Sequence, residues 1–218
     1  TEDIYVGYRY FETIPGAAEK VNYPFGYGLS YTSFAIRNCC GRLEKAEDGT
    51  QIVVEASVTN VGELAGKEVV QLYYSAPQGR LGKPARALGA FAKTRCLQPG
   101  ETQQVTLRLA ADSMASYDDT GKIAKSAYVM EAGEYGFYLG NSVRNTEKVS
   151  FVYKEEADRV VLALKERVAP RQLAKRMLAD GSFEELPVQA ECKAERFPGF
   201  VEGNPPHKGH WEGDAAAN

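Results

Sequence analysis

The residues of this chain that could carry acid–base or nucleophilic chemistry are few and poorly placed for it. Its 218 residues include only two histidines, His207 and His210, which lie among prolines and glycines. Without another histidine a serine or cysteine triad cannot form. The spacing of His207 and His210 would suit a metal ion only on a helix, and the neighbouring prolines and glycines exclude a helix there. We therefore predict a solvated histidine pair and no metal site.

Three pairs of neighbouring carboxylates are the next candidates for an acid and a base. They are Asp118/Asp119, Glu155/Glu156 and Glu184/Glu185. Adjacent residues of a strand or a helix point in different directions, so such a pair rarely converges on one substrate bond. We predict that these acids belong to turns and helix starts, and the sequence offers no catalytic or cofactor-binding residue.

The cysteines and the overall charge limit the compartment and the partners. None of the four cysteines, Cys39, Cys40, Cys96 and Cys192, has the spacing of metal ligands. A disulfide between neighbours would be strained, so we predict free thiols in a reducing compartment and favour the cytoplasm over secretion. The net charge of −3 argues against nucleic acid as a partner, and no apolar stretch has membrane-spanning length.

An aromatic and glycine-rich run over residues 23–32 could recognise sugar rings. The neighbouring aromatic residues are Tyr5, Tyr8, Tyr10, Phe11, Tyr23, Phe25, Tyr27 and Tyr31. The glycines Gly26 and Gly28 do not form a phosphate loop, because no strand leads in and no helix follows. We favour packing between domains over sugar stacking, since the cluster stands where one kind of pattern ends and another begins.

Short strands separated by turns fill residues 31–153. In one strand Ile52, Val54, Ala56 and Val58 alternate with polar or outward residues, and similar patterns recur at Val105–Leu109, Tyr135–Leu139 and Val149–Tyr153. A segment over 69–74 is apolar on both faces, which predicts a central strand, and strands are also expected at 88–93 and 128–131. Prolines and glycines over 77–84 predict an exposed loop. About seven strands predict an immunoglobulin-like or fibronectin-like sandwich.

The pattern changes after Tyr153. Ala157, Val161, Leu164 and Val168 have helical spacing, and Pro170 and Gly181 are placed to end helices. We predict a helical connector over 154–190 and a mobile tail over 191–218. Residues 1–30 are expected to be the end of a preceding domain, because the chain opens directly on dense aromatic sequence.

Several of these stretches together resemble glycoside hydrolase family 3. Residues 2–11 and 23–32 resemble the close of its α/β sandwich domain, and four later stretches resemble its fibronectin type III-like domain. The later stretches are 58–62, 65–73, 97–101 and 132–135. Their order and spacing over residues 1–150 carry the resemblance, and residues 163–181 look like the connector of members whose catalytic barrel follows this domain.

The resemblance implies a retaining exo-glycosidase of the β-glucosidase type that cleaves β-linked sugars by double displacement. The family's nucleophilic aspartate lies in the barrel and its acid/base glutamate lies upstream in the α/β domain. Asp3 and Glu12 do not match those motifs, so the resemblance implies a bracing fragment without catalytic residues, whose partners are the other domains of its parent chain. A carbohydrate-binding module and a generic adhesive or receptor sandwich domain remain alternatives.

Overall fold

Strands dominate the folded part of the chain. The computed structural model describes residues 3–47, 49–165 and 174–186. Within these ranges the strands are β1 Phe34–Ala46, β2 Gly49–Asn60, β3 Val69–Ser75, β4 Ala87–Lys93, β5 Thr102–Ala110, β6 Ser116–Asp118, β7 Ala127–Met130, β8 Gly133–Gly140, β9 Thr146–Glu155, β10 Arg159–Ala163, β11 Lys175–Met177 and β12 Phe183–Glu185. Before them stand a short helix, α1 Tyr8–Phe11, and a 3₁₀ turn at Ala17–Lys20.

Two antiparallel sheets face each other and form a sandwich. One sheet has the order β1-β2-β5 and the other has the order β4-β3-β8-β9. Their inner side chains make one core, whose largest fully buried members include Tyr135, Phe137, Leu72 and Ile52. The predicted fold class, a mainly β sandwich of the immunoglobulin or fibronectin type, is confirmed.

The alternation in the sequence marks the core-facing residues of β2 and β5 correctly, although Val53 and Ser57 on the other face of β2 are buried as well. In β2 the side chains of Ile52, Val54, Ala56 and Val58 are all buried. In β5 the buried residues alternate with exposed polar ones. The strand β3, apolar on both faces, lies inside the four-stranded sheet between β4 and β8. A period of two is what a pleated strand against a core requires, so local pattern is sufficient here.

The long first strand β1 carries a bulge. Its register against β2 shifts between Arg37 and Cys40, and Asn38 there has a φ of 57°. An extra residue at this point turns Cys39 toward the core and leaves Cys40 exposed. The two neighbouring thiols are therefore free, as predicted, and burial raises the pKa of the Cys39 thiol.

A third, smaller sheet stands beside the sandwich with the order β10-β7-β6. The prediction of a strand at 128–131 is confirmed by β7, although β7 belongs to this sheet and not to the sandwich. Its inner face is formed by Ala127 and Val129, which pack against Leu81. In the loop over 77–84, predicted to be exposed, Gln78, Gly79 and Arg80 are exposed, but Leu81 and Lys83 lie in the interior. Leu81 is buried because β7 offers it an apolar surface.

The helical connector predicted over 154–190 is wrong in the residues that the structure describes. Strand β9 continues through Glu155, and Arg159–Ala163 forms β10, which pairs with β7. The spacing of Val161 and Leu164 suits a helix, but backbone pairing with an open sheet edge and the β-branched Val160-Val161 favour a strand. Pro170 and the tail over 191–218 lie outside the described residues.

Strands β11 and β12 form a hairpin where a helix was expected to end at Gly181. Gly181, predicted as a helix stop, has a φ of 84° in the turn between them. Arg176 on β11 pairs with Asp3 and Asp119, and Lys122 pairs with Glu184 at 2.8 Å, so ion pairs fix this hairpin to the third sheet. Among the described residues, no helix has the length and apolar character needed to cross a membrane.

Candidate functional site

Residues 4–34, which we call the aromatic junction, make ring contacts and hydrogen bonds with the sandwich. At its centre the ring of Tyr8 stacks on Phe25 with 4.3 Å between ring centroids and meets the edge of Tyr73 at 6.3 Å. The Tyr8 hydroxyl also accepts a hydrogen bond of 2.8 Å from the backbone N–H of Leu88. One side chain therefore joins the short helix, the glycine-rich run and two strands of the sandwich.

Polar contacts hold the start of the junction to the same sheet. Arg144, in the turn after β8, donates to Glu12 at 2.8 Å and to the carbonyl of Ala18 at 3.0 Å. The hydroxyl of Thr13 accepts from the backbone N–H of Ala85 at 2.8 Å. Glu12 is thus engaged in an ion pair at the surface of the sandwich.

Gly26 lets the run approach the sheet closely. The backbone there has a φ of 85°, and a Cβ on this residue would stand 2.2 Å from the side-chain oxygen of Gln71. Gln71 donates to the carbonyls of Gly26, at 3.4 Å, and of Asn141, at 2.7 Å, and accepts from the hydroxyl of Tyr73. A single buried amide therefore satisfies groups from the junction and from two parts of the sandwich.

Asn60 fastens the end of the junction. Its side chain is fully buried and makes four hydrogen bonds. The amide nitrogen donates to the carbonyls of Leu64, at 2.7 Å, and Leu97, at 2.8 Å, while the amide oxygen accepts from the hydroxyl of Thr32, at 2.7 Å, and the N–H of Gly62, at 3.1 Å. Every donor and acceptor of this amide is used.

The packing predicted for the aromatic cluster is present for part of it. Tyr5 is buried, and Tyr8 and Phe25 stack, whereas Tyr31 and Leu29 are 95% and 91% exposed. We call Tyr23, Tyr27, Leu29 and Tyr31 the exposed strip; within it Tyr23 and Tyr27 stack at 5.1 Å. An open groove of about 870 Å³ lies beside the strip, lined also by Glu68, Lys93 and Asn141.

The first carboxylate pair organises a loop. Both oxygens of the buried Asp118 accept hydrogen bonds of 2.7–3.1 Å from backbone N–H groups; the donors are Gly121, Lys122, Ile123 and Ala124. Burial works to raise the pKa of Asp118, but the four donors outweigh it and hold that pKa below its usual value. Asp119 pairs with Arg176 instead. The prediction that this pair serves a turn is confirmed.

The other two pairs also divide their members. Glu155 accepts from Arg159 at 3.1 Å and from the hydroxyl of Tyr153 at 2.7 Å, whereas Glu156 pairs with Lys154. Glu155 ends a strand, so its predicted place at a helix start is wrong. Glu184 and Glu185 lie on β12 and pair with Lys122 and Lys175 respectively. In none of the three pairs do both members share one partner.

The loop over 77–84 contains a buried ion pair. Lys83 and Glu131 are only 2% and 3% exposed and their charged atoms are 2.9 Å apart. Glu131 also accepts from the backbone N–H groups of Arg80, at 2.6 Å, and Leu81, at 3.4 Å. Desolvation lowers the pKa of Lys83 and the carboxylate partly offsets that. Buried contacts therefore hold Leu81 and Lys83 in place, while Gln78 and Arg80 of the same loop are exposed.

The remaining candidates are cysteine and histidine side chains. Cys96 is exposed, and Cys192, His207 and His210 lie outside the described residues. In residues 3–47, 49–165 and 174–186 no group of three metal-ligating side chains comes together.

Sequence reasoning did not single out Asn60 or Gln71, the two buried amides that fix the junction. Gln71 had a readable signal, because it is the one polar residue in an otherwise apolar segment over 69–74. Asn60 had none, since the sequence from Asn60 to Glu63 predicts a turn, in which solvent exposure is the ordinary expectation. Their partners come from distant parts of the chain, so only the fold reveals their roles.

A sandwich with this strand order and this junction is a fibronectin type III-like domain. The family model described as "Fibronectin type III-like domain" matches residues 68–143. The chain is 55% identical over 198 residues to β-glucosidase A of Butyrivibrio fibrisolvens. The match covers 86% of this chain and 24% of that protein. It therefore spans about a quarter of that relative's length.

Solved structures agree. The crystal structure of a β-glucosidase from Paenibacillus barengoltzii matches with a TM-score of 0.81 and 51% identity, covering 89% of this chain and 22% of that one. The GH3 β-glucosidase of Bifidobacterium adolescentis matches with a TM-score of 0.56 and 30% identity over 77% of this chain and 23% of that one. The resemblance to glycoside hydrolase family 3 is therefore confirmed, and this chain carries that family's fibronectin type III-like domain.

Proposed function

We propose that this chain is the bracing region of a retaining β-glucosidase-type enzyme and contributes no catalytic group itself. The relatives from Butyrivibrio fibrisolvens and Paenibacillus barengoltzii are named β-glucosidases, and each is about four times as long as the part that it shares with this chain. The resemblance to the family implies that its catalytic carboxylates belong to the parts of those proteins outside this match. The substrate of the whole protein would be a β-linked glucoside.

The observation that carries this proposal is the clamp on Tyr8. Its ring and hydroxyl connect residues before the sandwich to β3 and β4 at once. A connection of this kind fixes the direction in which the preceding domain leaves the sandwich. Retaining chemistry needs two carboxyl groups about 5–5.5 Å apart, and misplacement by about 1 Å can cost a hundredfold in rate. A rigid brace between catalytic domains therefore supports turnover without touching the sugar.

The partners that follow from this proposal are the α/β sandwich and barrel domains of the same parent chain. The exposed strip supports contact with another domain, because Tyr31 and Leu29 leave large apolar surfaces in water. We also propose a cytoplasmic location, which is supported by the free thiols of Cys39, Cys40 and Cys96.

The test compares the purified 218-residue chain with the complete protein encoded by its gene, using an aryl β-glucoside. We expect no turnover from the chain and measurable turnover from the complete protein. Tyr8→Ala in the complete protein should lower kcat more than it changes KM, since it loosens domain geometry and touches no substrate. Turnover by the purified chain alone would refute the proposal.

A carbohydrate-binding role is a second candidate, favoured by the exposed strip beside a polar groove. Stacked tyrosines next to amide and carboxylate groups are typical of sugar-binding surfaces. Titration of the chain with cello- or laminari-oligosaccharides decides between the two roles. Saturable binding that Tyr27→Ala abolishes would favour the binding module, and its absence would favour the brace.

A further inference from the structure

The first and the last described parts of the chain meet at one arginine. Arg176, on β11, donates through Nε to Asp3 at 2.7 Å and through Nη2 to Asp119 at 2.5 Å. Asp3 lies 173 residues before it, in residues 3–7, which we call the leading segment because they precede the helix α1. The guanidinium therefore links the leading segment both to the hairpin β11–β12 and to the loop after β6.

Apolar side chains of the two parts stand next to this link. Ile4 and Tyr5 of the leading segment line one cavity, of about 290 Å³, together with Met177 and Leu178 of the hairpin. Tyr5 is buried, so the leading segment is packed where it passes the hairpin. Arg176 thus joins two neighbouring parts and is not an isolated surface contact.

The charge of Arg176 is matched by two carboxylates. The side chain of Arg176 is only 10% exposed, whereas those of Asp3 and Asp119 are 29% and 36% exposed. Burial opposes the charged form, but the two acids outweigh it and hold the pKa of Arg176 above its usual value. Because the donors of a guanidinium lie in one rigid plane, binding two acids at once also fixes the angle between the elements that carry them.

The hairpin has a second attachment that does not involve the leading segment. The Nζ atom of Lys122 lies 2.8 Å from both carboxylate oxygens of Glu184. A two-stranded hairpin is marginally stable by itself, and this ion pair supports it together with the bond from Arg176 to Asp119. The bond to Asp3 is therefore not needed to hold the hairpin, and its effect is on the leading segment.

We propose that Arg176 is a positioning residue for the glucosidase reaction of the parent protein and acts through Asp3 on the preceding α/β domain. This inference rests on the function proposed above. The buried Tyr5 and the clamp on Tyr8 hold the chain downstream of Asp3. Asp3 is the first described residue, so its bond is the described contact nearest to the preceding domain and limits how that domain turns about its entry into the sandwich.

Steady-state kinetics of the complete protein on an aryl β-glucoside test this role. Asp3→Asn keeps one oxygen for the N–H of Ile4, which donates to Asp3 at 2.8 Å, but it loses the charge that Arg176 binds. We expect kcat and kcat/KM to fall by the same factor, about tenfold, with KM unchanged, because the reacting groups are misplaced while no contact with substrate is lost. Asp3→Glu, which keeps the charge, should restore most of the lost rate.

Asp119→Asn is the matched control, since it removes the other carboxylate of the same arginine. It leaves the bond between Asp3 and Arg176 in place, and Lys122 still holds the hairpin through Glu184. We expect its kcat to stay within about twofold of the wild-type value, because a partly exposed ion pair contributes little stability. Equal losses of kcat for the two variants would show that Arg176 only stabilises the hairpin and would overturn the positioning role.

The melting temperature of the 218-residue chain alone checks that the variants fold. Asp3→Asn should lower it by no more than about 4 °C. A larger fall transfers the test to Arg176→Lys, which keeps the charge but cannot bind both acids in one rigid plane, so that kcat should again fall while KM is unchanged.

The outcomes separate this role from the proposed function. Wild-type kcat for Asp3→Asn, or for Arg176→Lys where that variant replaces it, in an active complete protein would overturn the positioning role and leave the bracing function intact. Failure of the wild-type complete protein to hydrolyse an aryl β-glucoside would instead overturn the proposed function.

Discussion

Removing the amide of Asn60 should loosen the whole junction from the sandwich. In Asn60→Ala four hydrogen bonds are lost, each worth roughly 0.5–1.5 kcal/mol net. Two of the acceptors that lose Asn60 still have a donor, which reduces the loss of stability. The carbonyl of Leu97 accepts from the N–H of Gly66 at 3.1 Å, and water can reach the carbonyl of Leu64, because Leu64 is exposed. We therefore expect a loss of about 3 kcal/mol in the free energy of unfolding.

The assay is urea unfolding followed by near-ultraviolet circular dichroism, which reports on the 13 tyrosines. A loss of this size corresponds to a fall in melting temperature of about 6–12 °C for a chain of this length. Thr59→Ala is the control from the neighbouring position. Its hydroxyl meets that of Thr102 at 2.8 Å at the surface, and its removal should cost less than about 1 kcal/mol.

A double-variant cycle with Thr32→Ala separates the junction from the turn. Because Thr32 donates to Asn60 at 2.7 Å, both single variants remove the same bond, and the double variant should lose about 1 kcal/mol less than their sum. A loss below 1 kcal/mol for Asn60→Ala, with an unchanged m-value, would show that the buried amide does not hold the junction and would refute the reasoning.

Three further perturbations test other parts of the structure. Asp118→Asn should destabilise the chain by about 2 kcal/mol at pH 7. Because the fold holds the pKa of Asp118 low, this loss of stability should shrink as the pH falls below about 3.8, the usual pKa of an aspartate. A loss that stays constant from pH 7 to pH 3 would contradict the role assigned to Asp118. Lys83→Met should lower the free energy of unfolding by about 3 kcal/mol, because it leaves the carboxylate of Glu131 without its buried partner. The double variant Lys83→Met/Glu131→Gln should recover part of that loss in thermal unfolding. A double variant that is equally or more destabilised would argue against a charge effect. Gly26→Ala should lower the free energy of unfolding by about 1–2 kcal/mol and increase cleavage of the junction in limited proteolysis. The control Gly28→Ala should do neither, because its Cβ would meet nothing within 4 Å. Equal effects at both glycines would contradict a close approach at Gly26.

The local pattern failed where an apolar segment could satisfy two structures. Val161 and Leu164 fit a helical stripe, yet Arg159–Ala163 became a strand because β7 presented an unpaired edge beside it. The inner face of β7 explains in the same way why Leu81 is buried, since Ala127 and Val129 pack against it. Neither outcome follows from the residues of the segment alone. Both depend on a neighbour that is distant in sequence.

The amino-acid sequence by itself determined the sandwich, because alternating burial along β5 and β8 is a property of consecutive residues in a pleated strand. It also predicted a stiff junction over residues 23–32, since proline, glycine and aromatic residues restrict the backbone and pack locally. Only the tertiary structure decided which polar groups are buried. Asn60, Gln71, Lys83 and Glu131 take their partners from remote strands and loops, and desolvation makes each pairing obligatory only once those parts have come together.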